Sequence, residues 1–286
     1  MIPSTFDYQA PGSVDEVIRL LGEAGDTEVK VLAGGQSLLP VLRLRLAAPE
    51  MLLDLGKIDG LRGIRQDGDA IVIGAMTTHH EVATDPLIAE HLLLLHEAAE
   101  TVADPQVRHR GTFGGALVHA DPAGDLLAPA LALNAEMVIA GAAGSRTVPA
   151  AEFFQDLFST AVGEDEILTE IRIPSHAGWG GRYEKFTRVS QQWSIVAVAA
   201  AVRVEGSAIA EAAVALTNMG STPVRASAAE QALVGCAIDA DAIGAALAAV
   251  ADGTRPPTDL NGDAEYRTHL AGVLARRAVL AAAGGS

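Results

Sequence analysis

VLAGGQSLLP, residues 31–40, is the stretch that decides how the chain is read. A short apolar run breaks at Gly34–Gly35 and resumes at Leu38. One reading is a tight turn. The other is a loop that brings backbone amides against a phosphate: glycine admits close approach and positive φ, and successive amides form a nest for anions. A second double glycine, Gly114–Gly115, lies within RGTFGGALVHADPAGDL, residues 110–126. Each loop carries a hydroxyl neighbour, Ser37 in one and Thr112 in the other. Two sets of amides and two hydroxyls could clasp a diphosphate from both sides. Neither loop fits GxGxxG or GxxxxGKS/T, so neither a dinucleotide-binding βαβ fingerprint nor a P-loop is indicated.

Working outward, the pattern reads as α+β. SVDEVIRLLGEAG (13–25) has a helical period, with Ser13 as N-cap and Glu16 at the capping-box spacing. EVKVLAG leads as a strand into the first glycine loop, and MLLDLG (51–56) and DAIVIGAMTT (69–78) are further strand candidates. This strand–helix–strand opening suggests a small α/β unit. LIAEHLLLLHEAAETVA (87–103) is the longest helical pattern, AEMVIAGAAGSRTVPAAEF reads as strand, turn and strand, and EILTEIRIP (166–174) alternates as a half-buried strand does. PSHAGWGG (174–181) reads as a boundary. Beyond it come strand-like runs, two Ala-rich helical patterns and a final amphipathic helix, together read as a structural or partner-facing α+β domain.

Composition narrows the function. The 286 residues carry 20 Lys plus Arg against 36 Asp plus Glu, a net charge of −16. That balance argues against nucleic-acid or anionic-membrane partners, which need clustered cations. Backbone amides can still hold one small phosphorylated ligand. The single cysteine, Cys236, excludes an internal disulfide framework and any cysteine-ligated cluster made by this chain alone. It points to a reducing cytoplasm, as does an N-terminus without signal-peptide character. No apolar stretch is long enough to give a membrane signal.

The other chemistry is sparse. DPAGD places Asp121 and Asp125 at i and i+4, one face of a helix if the first turn begins there, with Asp121 as N-cap and Pro122 at the first helical position. Asp125, at the edge of an apolar run, could accept from a ribityl or ribose hydroxyl or a ring N–H. The histidines have no metal-ligand spacing: His79–His80 are adjacent, and His91 and His96 are five apart. No nucleophile motif is present, and Cys236 reads as a buried, inert thiol in an apolar helix. Lys185 reads as a charge on a solvated strand face and Trp193 as core.

AGGQSL (33–38), RGTFGGALVHADPAGDL, EILTEIRIP and YEKFTRVSQQWS (183–194) occur in that order. Together they resemble the flavoprotein, or medium, subunit of molybdenum hydroxylases, the xanthine dehydrogenase and aerobic carbon monoxide dehydrogenase family. The resemblance runs over essentially the whole chain. It implies an FAD-binding domain of the vanillyl-alcohol-oxidase (PCMH) type in two subdomains, residues 1–57 and 58–175, then a small α+β C-terminal domain, 176–286. It implies FAD as cofactor. Its cofactor-binding residues would be Ala33, Gly34, Gly35, Gln36, Ser37 and Leu38, then Thr112, Gly114 and Gly115. Asp121 and Asp125 would follow on the cofactor's polar groups, with Leu168 lining the flavin, Lys185 near the isoalloxazine and Trp193 approaching the ring. Phe113 and His109 depart from the residues usual at their positions. The resemblance assigns this chain no catalytic side chain and no metal. The implied partners are a molybdenum-cofactor large subunit, a small subunit with 2Fe–2S clusters and an external electron acceptor. A non-catalytic nucleotide-binding or assembly module, and a stand-alone flavin oxidoreductase, are the alternatives that the residues leave open.

Overall fold

In the computed structural model, which describes residues 2–285, the chain opens on a small parallel sheet. β1 (Asp7–Gln9), α1 (Val14–Gly22), β2 (Val29–Leu32), α2 (Leu38–Arg43) and β3 (Met51–Asp54) follow in sequence, with strand order β1-β3-β2. Parallel pairing needs crossovers, and α1 and α2 supply them. Ser13 caps α1 by accepting from the Glu16 N–H. The expected box is only half made, because the Glu16 carboxylate accepts instead from the Gly12 N–H at 2.8 Å. Val17 and Leu53 are fully buried between helix and sheet.

The next stretch holds β4 (Ile64–Asp67), β5 (Ala70–Gly74), α3 (His79–Thr84), α4 (Pro86–His91), α5 (Leu93–Glu100), α6 (Pro105–Arg108), α7 (Phe113–His119) and α8 (Leu127–Ala132). After them come β6 (Glu136–Gly141), β7 (Gly144–Pro149), α9 (Ala150–Phe153), β8 (Phe154–Asp156), β9 (Ser159–Thr160) and β10 (Ile167–Pro174). Five of these strands form an antiparallel sheet, β4-β5-β10-β6-β7. Two expectations change here. The single helix over 87–103 is two, because Leu92 leaves helical geometry (φ −138, ψ 52) and the His91 carbonyl accepts from the His176 N–H. The strict alternation of β10 is interrupted by a bulge between Leu168 and Glu170. Before the bulge both faces of the strand are covered, Ile167 by the core under the parallel sheet and Leu168 by the main core.

The last sheet is β11 (Gly180–Phe186), β12 (Val196–Glu205), β13 (Ala208–Thr217) and β14 (Val224–Arg225), followed by α10 (Ser227–Leu233), α11 (Ala240–Ala246) and α12 (Ala264–Ala282). The alanines of β12 are packed inside the protein. β12 is buried on both faces: Val196, Val198 and Val202 pack with α12, while Ala197, Ala199 and Ala201 pack into the main core with α5 and α8. Small side chains let helices approach both sides of one sheet. Gly180 and Gly181 show how closely, since a Cβ at Gly180 would lie 2.8 Å from the Ala282 carbonyl carbon and one at Gly181 2.9 Å from the Leu94 Cα. The C-terminal sheet is thus welded to the helices that precede it, and residues between β11 and β12 stand over the turn that follows α7.

Candidate cofactor site

The two glycine loops meet. A Cβ at Gly34 would lie 2.7 Å from the Gly111 Cα and 2.9 Å from the Arg110 carbonyl carbon, and one at Gly115 would lie 3.2 Å from the Ala33 Cβ. Gly34 is therefore required by backbone-to-backbone contact between the loops. The conformational demand falls on Gly35, whose φ is +77, the left-handed region that glycine enters freely.

The loops differ in what their amides do. In the second, the Phe113 N–H donates to the Thr77 carbonyl at 2.9 Å and the Gly114 N–H to the Ala75 carbonyl at 3.0 Å. The Gly115 N–H donates to the Thr112 hydroxyl at 3.2 Å. Two of the residues expected to clasp a diphosphate, Gly114 and Gly115, thus have their amides already engaged inside the protein. Gly114 is there for fit: its Cβ would lie 2.6 Å from that of Ala75. Thr112 is 3% exposed and serves as the N-cap of α7, so its hydroxyl can offer only its proton, and its N–H donates to no partner among the described residues.

In the first loop the N–H groups of Gly34, Gly35, Gln36 and Ser37 donate to no partner among the described residues, and Ser37 makes no capping bond to α2. The Gln36 side chain returns to the Gly34 carbonyl at 3.3 Å. These four residues lie in a half-exposed turn between β2 and α2, with Ala33 and Leu38 on either side. Unpaired amides converging in a turn are the donor set an anion requires. The structure thus divides the work: residues 34–37 present donors, and residues 111–115 form the wall that holds them in place.

Behind that wall stands His79. It lies on a helix rather than on a strand, its N–H donates to the Gly111 carbonyl at 2.9 Å, and its ring packs against Gly111. Burial, with Arg108 adding to it, lowers its pKa from 6.5 to about 4. It is therefore neutral at physiological pH.

DPAGD is not a helix start. Asp121 closes a turn by accepting from the Ala123 N–H at 2.9 Å, and α8 begins only at Leu127. The two aspartates part company. Asp121 is half-buried beside a recess of about 350 Å³ whose walls include Phe158, Asn218 and Arg255. Asp125 is 6% exposed and accepts from Lys185 at 2.7 Å, Ser194 at 2.7 Å and Tyr183 at 3.1 Å. Lys185 also donates to the Thr101 carbonyl at 3.0 Å. Lys185 is thus no solvated surface charge, and Asp125 and Lys185 spend their charges on each other across the junction between the central and C-terminal sheets. Burial pushes the Asp125 carboxyl up, while Lys185 and the hydrogen bonds from Lys185, Ser194 and Tyr183 favour the carboxylate. Tyr183, fully enclosed beside that carboxylate, is held well above its usual pKa and remains a phenol donor.

Leu168 is a buried core residue at the β10 bulge. Trp193, expected in the core, is 55% exposed. Cys236 lies in the turn after α10, partly exposed, and burial together with Asp239 raises its pKa. His80 and His109 stack with ring centroids 3.9 Å apart at the surface near the loops. Tyr183 and Ser194 stand at the two ends of YEKFTRVSQQWS and Asn218 lies outside any motif, and only their positions in the folded sheet bring them to Asp125 and to the segment before β12.

Known proteins are similar to this chain over essentially its full length. Residues 4–176 match the family described as the FAD binding domain in molybdopterin dehydrogenase, and residues 181–282 the CO dehydrogenase flavoprotein C-terminal domain. The chain is 43% identical over 283 residues to the carbon monoxide dehydrogenase medium chain of Hydrogenophaga pseudoflava, covering 99% of this chain and 98% of that one. It is 32% identical over 278 residues to the glyceraldehyde dehydrogenase medium chain of Sulfolobus acidocaldarius, covering 97% and 98%. A solved structure of the Hydrogenophaga pseudoflava carbon monoxide dehydrogenase, in a form lacking the Mo-pyranopterin moiety, superposes with a TM-score of 0.95 at 45% identity over 99% of each chain. No helix among the described residues is long and apolar enough to cross a membrane.

Proposed function

Because the chain belongs to the family of FAD-binding medium subunits of molybdenum hydroxylases, we propose that residues 33–38 carry the FAD diphosphate on the free amides of Gly34, Gly35, Gln36 and Ser37. The observation that carries this reading is the contrast between the loops: four consecutive donors without partners in the first, braced by a second in which the Phe113, Gly114 and Gly115 amides are already bonded. The donor set fits a diphosphate, which needs several convergent N–H groups and no nearby lysine. The Ser37 hydroxyl adds one donor and the Thr112 hydroxyl proton a second. Gly114 and Gly115 contribute shape by admitting the contacts with Ala75 and Ala33.

We place the flavin end of the cofactor towards the junction with the C-terminal sheet. Asp121 keeps one carboxylate oxygen free of protein partners to accept from a sugar or ribityl hydroxyl. Asp125 and Lys185 act as a pair that locks β11 onto the turn after α7, and Leu168, buried at the β10 bulge, is assigned to line the flavin. Trp193, exposed next to Ser194, stands at the edge of this junction and is assigned to the ring. Bound here, FAD supplies the ability to take electrons singly and release them in pairs, while the protein supplies binding, orientation and electrostatics. No side chain of this chain needs to abstract a substrate proton.

We assign the subunit to a complex of the carbon monoxide dehydrogenase type, in which a 2Fe–2S small subunit delivers electrons drawn from a molybdenum large subunit and an external acceptor removes them. Identity supports the type: two carbon monoxide dehydrogenase medium chains stand at 43% and 41%, against 32–36% for medium chains named for glyceraldehyde and nicotine oxidation. A single cysteine suits a reducing cytoplasm. The test is co-purification with the partner subunits. The visible flavin spectrum should bleach under carbon monoxide and stay oxidised with NADH alone. A flavin that stays oxidised while the complex turns over its substrate removes the subunit from the electron path.

A further inference from the structure

The largest fully buried side chain is a charged one, Arg267 of α12, at 0% exposure. A buried guanidinium is costly unless its donors are matched, and a well-packed apolar residue commonly serves stability as well or better. Its bonds show where its charge is directed. The guanidinium donates to the Ile195 carbonyl, to Asp259 Oδ1 at 2.7 Å and, through Nε, towards the Gly262 carbonyl at 3.5 Å. Asp259 is 45% exposed and supplies the counter-charge from the solvent side. The deeply enclosed partner is the Ile195 carbonyl, two residues after Trp193.

The same segment is tied twice more. The Asn218 side-chain amide donates to the Ser194 and Ile195 carbonyls at 2.9 and 3.2 Å. Asn218 is itself left-handed, with φ 62, and its N–H donates to the Pro122 carbonyl at 2.9 Å. The Ser194 hydroxyl donates to Asp125 at 2.7 Å. Just before these anchors Gln191 is also left-handed, with φ 71, a conformation that costs a non-glycine residue energy and persists where its surroundings enforce it. Trp193 is exposed between a strained turn and three fixed points. The backbone that carries the indole is fixed and the indole is uncovered, which preorganises its base to lie against a ligand.

We propose that Arg267 is a positioning residue: with Asn218 it fixes residues 193–195 so that the Trp193 indole stands at the flavin ring. This rests on the FAD placement given above. The test uses the complete FAD-loaded complex, with flavin fluorescence and the visible flavin band as readouts and heat denaturation as the check on folding. Trp193→Phe should raise flavin fluorescence several-fold by removing the quenching indole. Arg267→Met should do the same at equal FAD content, Arg267→Lys should return most of the quenching, and the Trp193→Phe/Arg267→Met pair should add nothing to either single change. If Trp193→Phe brightens the flavin and Arg267→Met does not, the positioning role is refuted while the Trp193 assignment stands. If Trp193→Phe leaves the spectrum unchanged, the assignment of Trp193 to the ring fails and the proposal falls with it. Should Arg267→Met not fold, Asn218→Ala decides in its place: brightening supports the shared anchoring, and an unchanged flavin overturns it.

Discussion

Gly34→Ala adds one carbon where two backbones touch. That carbon would lie 2.7 Å from the Gly111 Cα, and ordinary van der Waals contact begins near 3.4 Å. The Arg110 carbonyl oxygen lies closer still, so the loops must part by more than about 0.7 Å, and the atoms that resist are backbone rather than a flexible side chain. Overpacking of this kind costs about 1–3 kcal/mol of stability. The effect on the ligand is larger. Hydrogen bonds to a charged group contribute about 1.5–3 kcal/mol each. Misplacing two of the four amides of Gly34–Ser37 loses about 3–6 kcal/mol, or roughly 10²- to 10⁴-fold in Kd. The assay is FAD titration of the FAD-stripped complex carrying Gly34→Ala, beside calorimetric unfolding of the same sample. Gly22→Ala, with open space around it, is the control and should bind FAD as the natural protein does. Wild-type FAD affinity in Gly34→Ala would refute the reasoning, because the loop would then tolerate separation without losing its donors.

Three further outcomes are expected. Breaking the enclosed pair with Lys185→Met should cost about 3–5 kcal/mol, since it leaves Asp125 uncompensated; adding Asp125→Leu should recover part of that loss, and a single mutant that unfolds at the wild-type temperature would contradict the clasp. His79 should make stability pH-dependent: its folded pKa of about 4 lies below the unfolded 6.5, so the unfolded chain binds the extra proton between those values and stability falls as pH drops through that window. From pH 7 to 5 the loss is about 2 kcal/mol, and urea denaturation of His79→Gln should show a correspondingly flatter profile. Gly272→Ala, inside α12 with no atom within 4 Å of the new carbon, should stabilise the protein by about 0.5–1 kcal/mol in the same measurement.

Local features were legible in the sequence where local chemistry decides them. Ser13 caps its helix, the EVKVLAG and MLLDLG runs are strands, and EILTEIRIP is the middle strand of a sheet. The convergence of the two glycine loops was legible too, although the reason for Gly34 was not. A glycine for ligand approach and a glycine for loop contact look alike until the atom opposite is known, here the Gly111 Cα. Whether an amide is free is likewise a long-range property, since Gly114 loses its N–H to Ala75, 39 positions earlier. DPAGD carried a helix-start signature, yet Asp125 is drawn instead to Lys185, Ser194 and Tyr183, and those partners outweigh the propensity. Trp193 and Arg267 inverted the usual rule of burial. The indole lies on a turn pinned from below, and the guanidinium lies below, doing the pinning. The helical period of YRTHLAGVLARRAVLAAA puts Arg267 on the apolar stripe of Leu270, Ala271 and Leu274 and leaves Arg276 and Arg277 off it, but what a buried guanidinium would meet there is a long-range property.

The most direct test is an experimental structure of the complex with FAD bound. Diphosphate oxygens within hydrogen-bonding distance of the Gly34, Gly35, Gln36 and Ser37 amides, with the Gly114 N–H still on Ala75, are the predicted result. A diphosphate seated elsewhere, with those four amides facing solvent, would contradict the account.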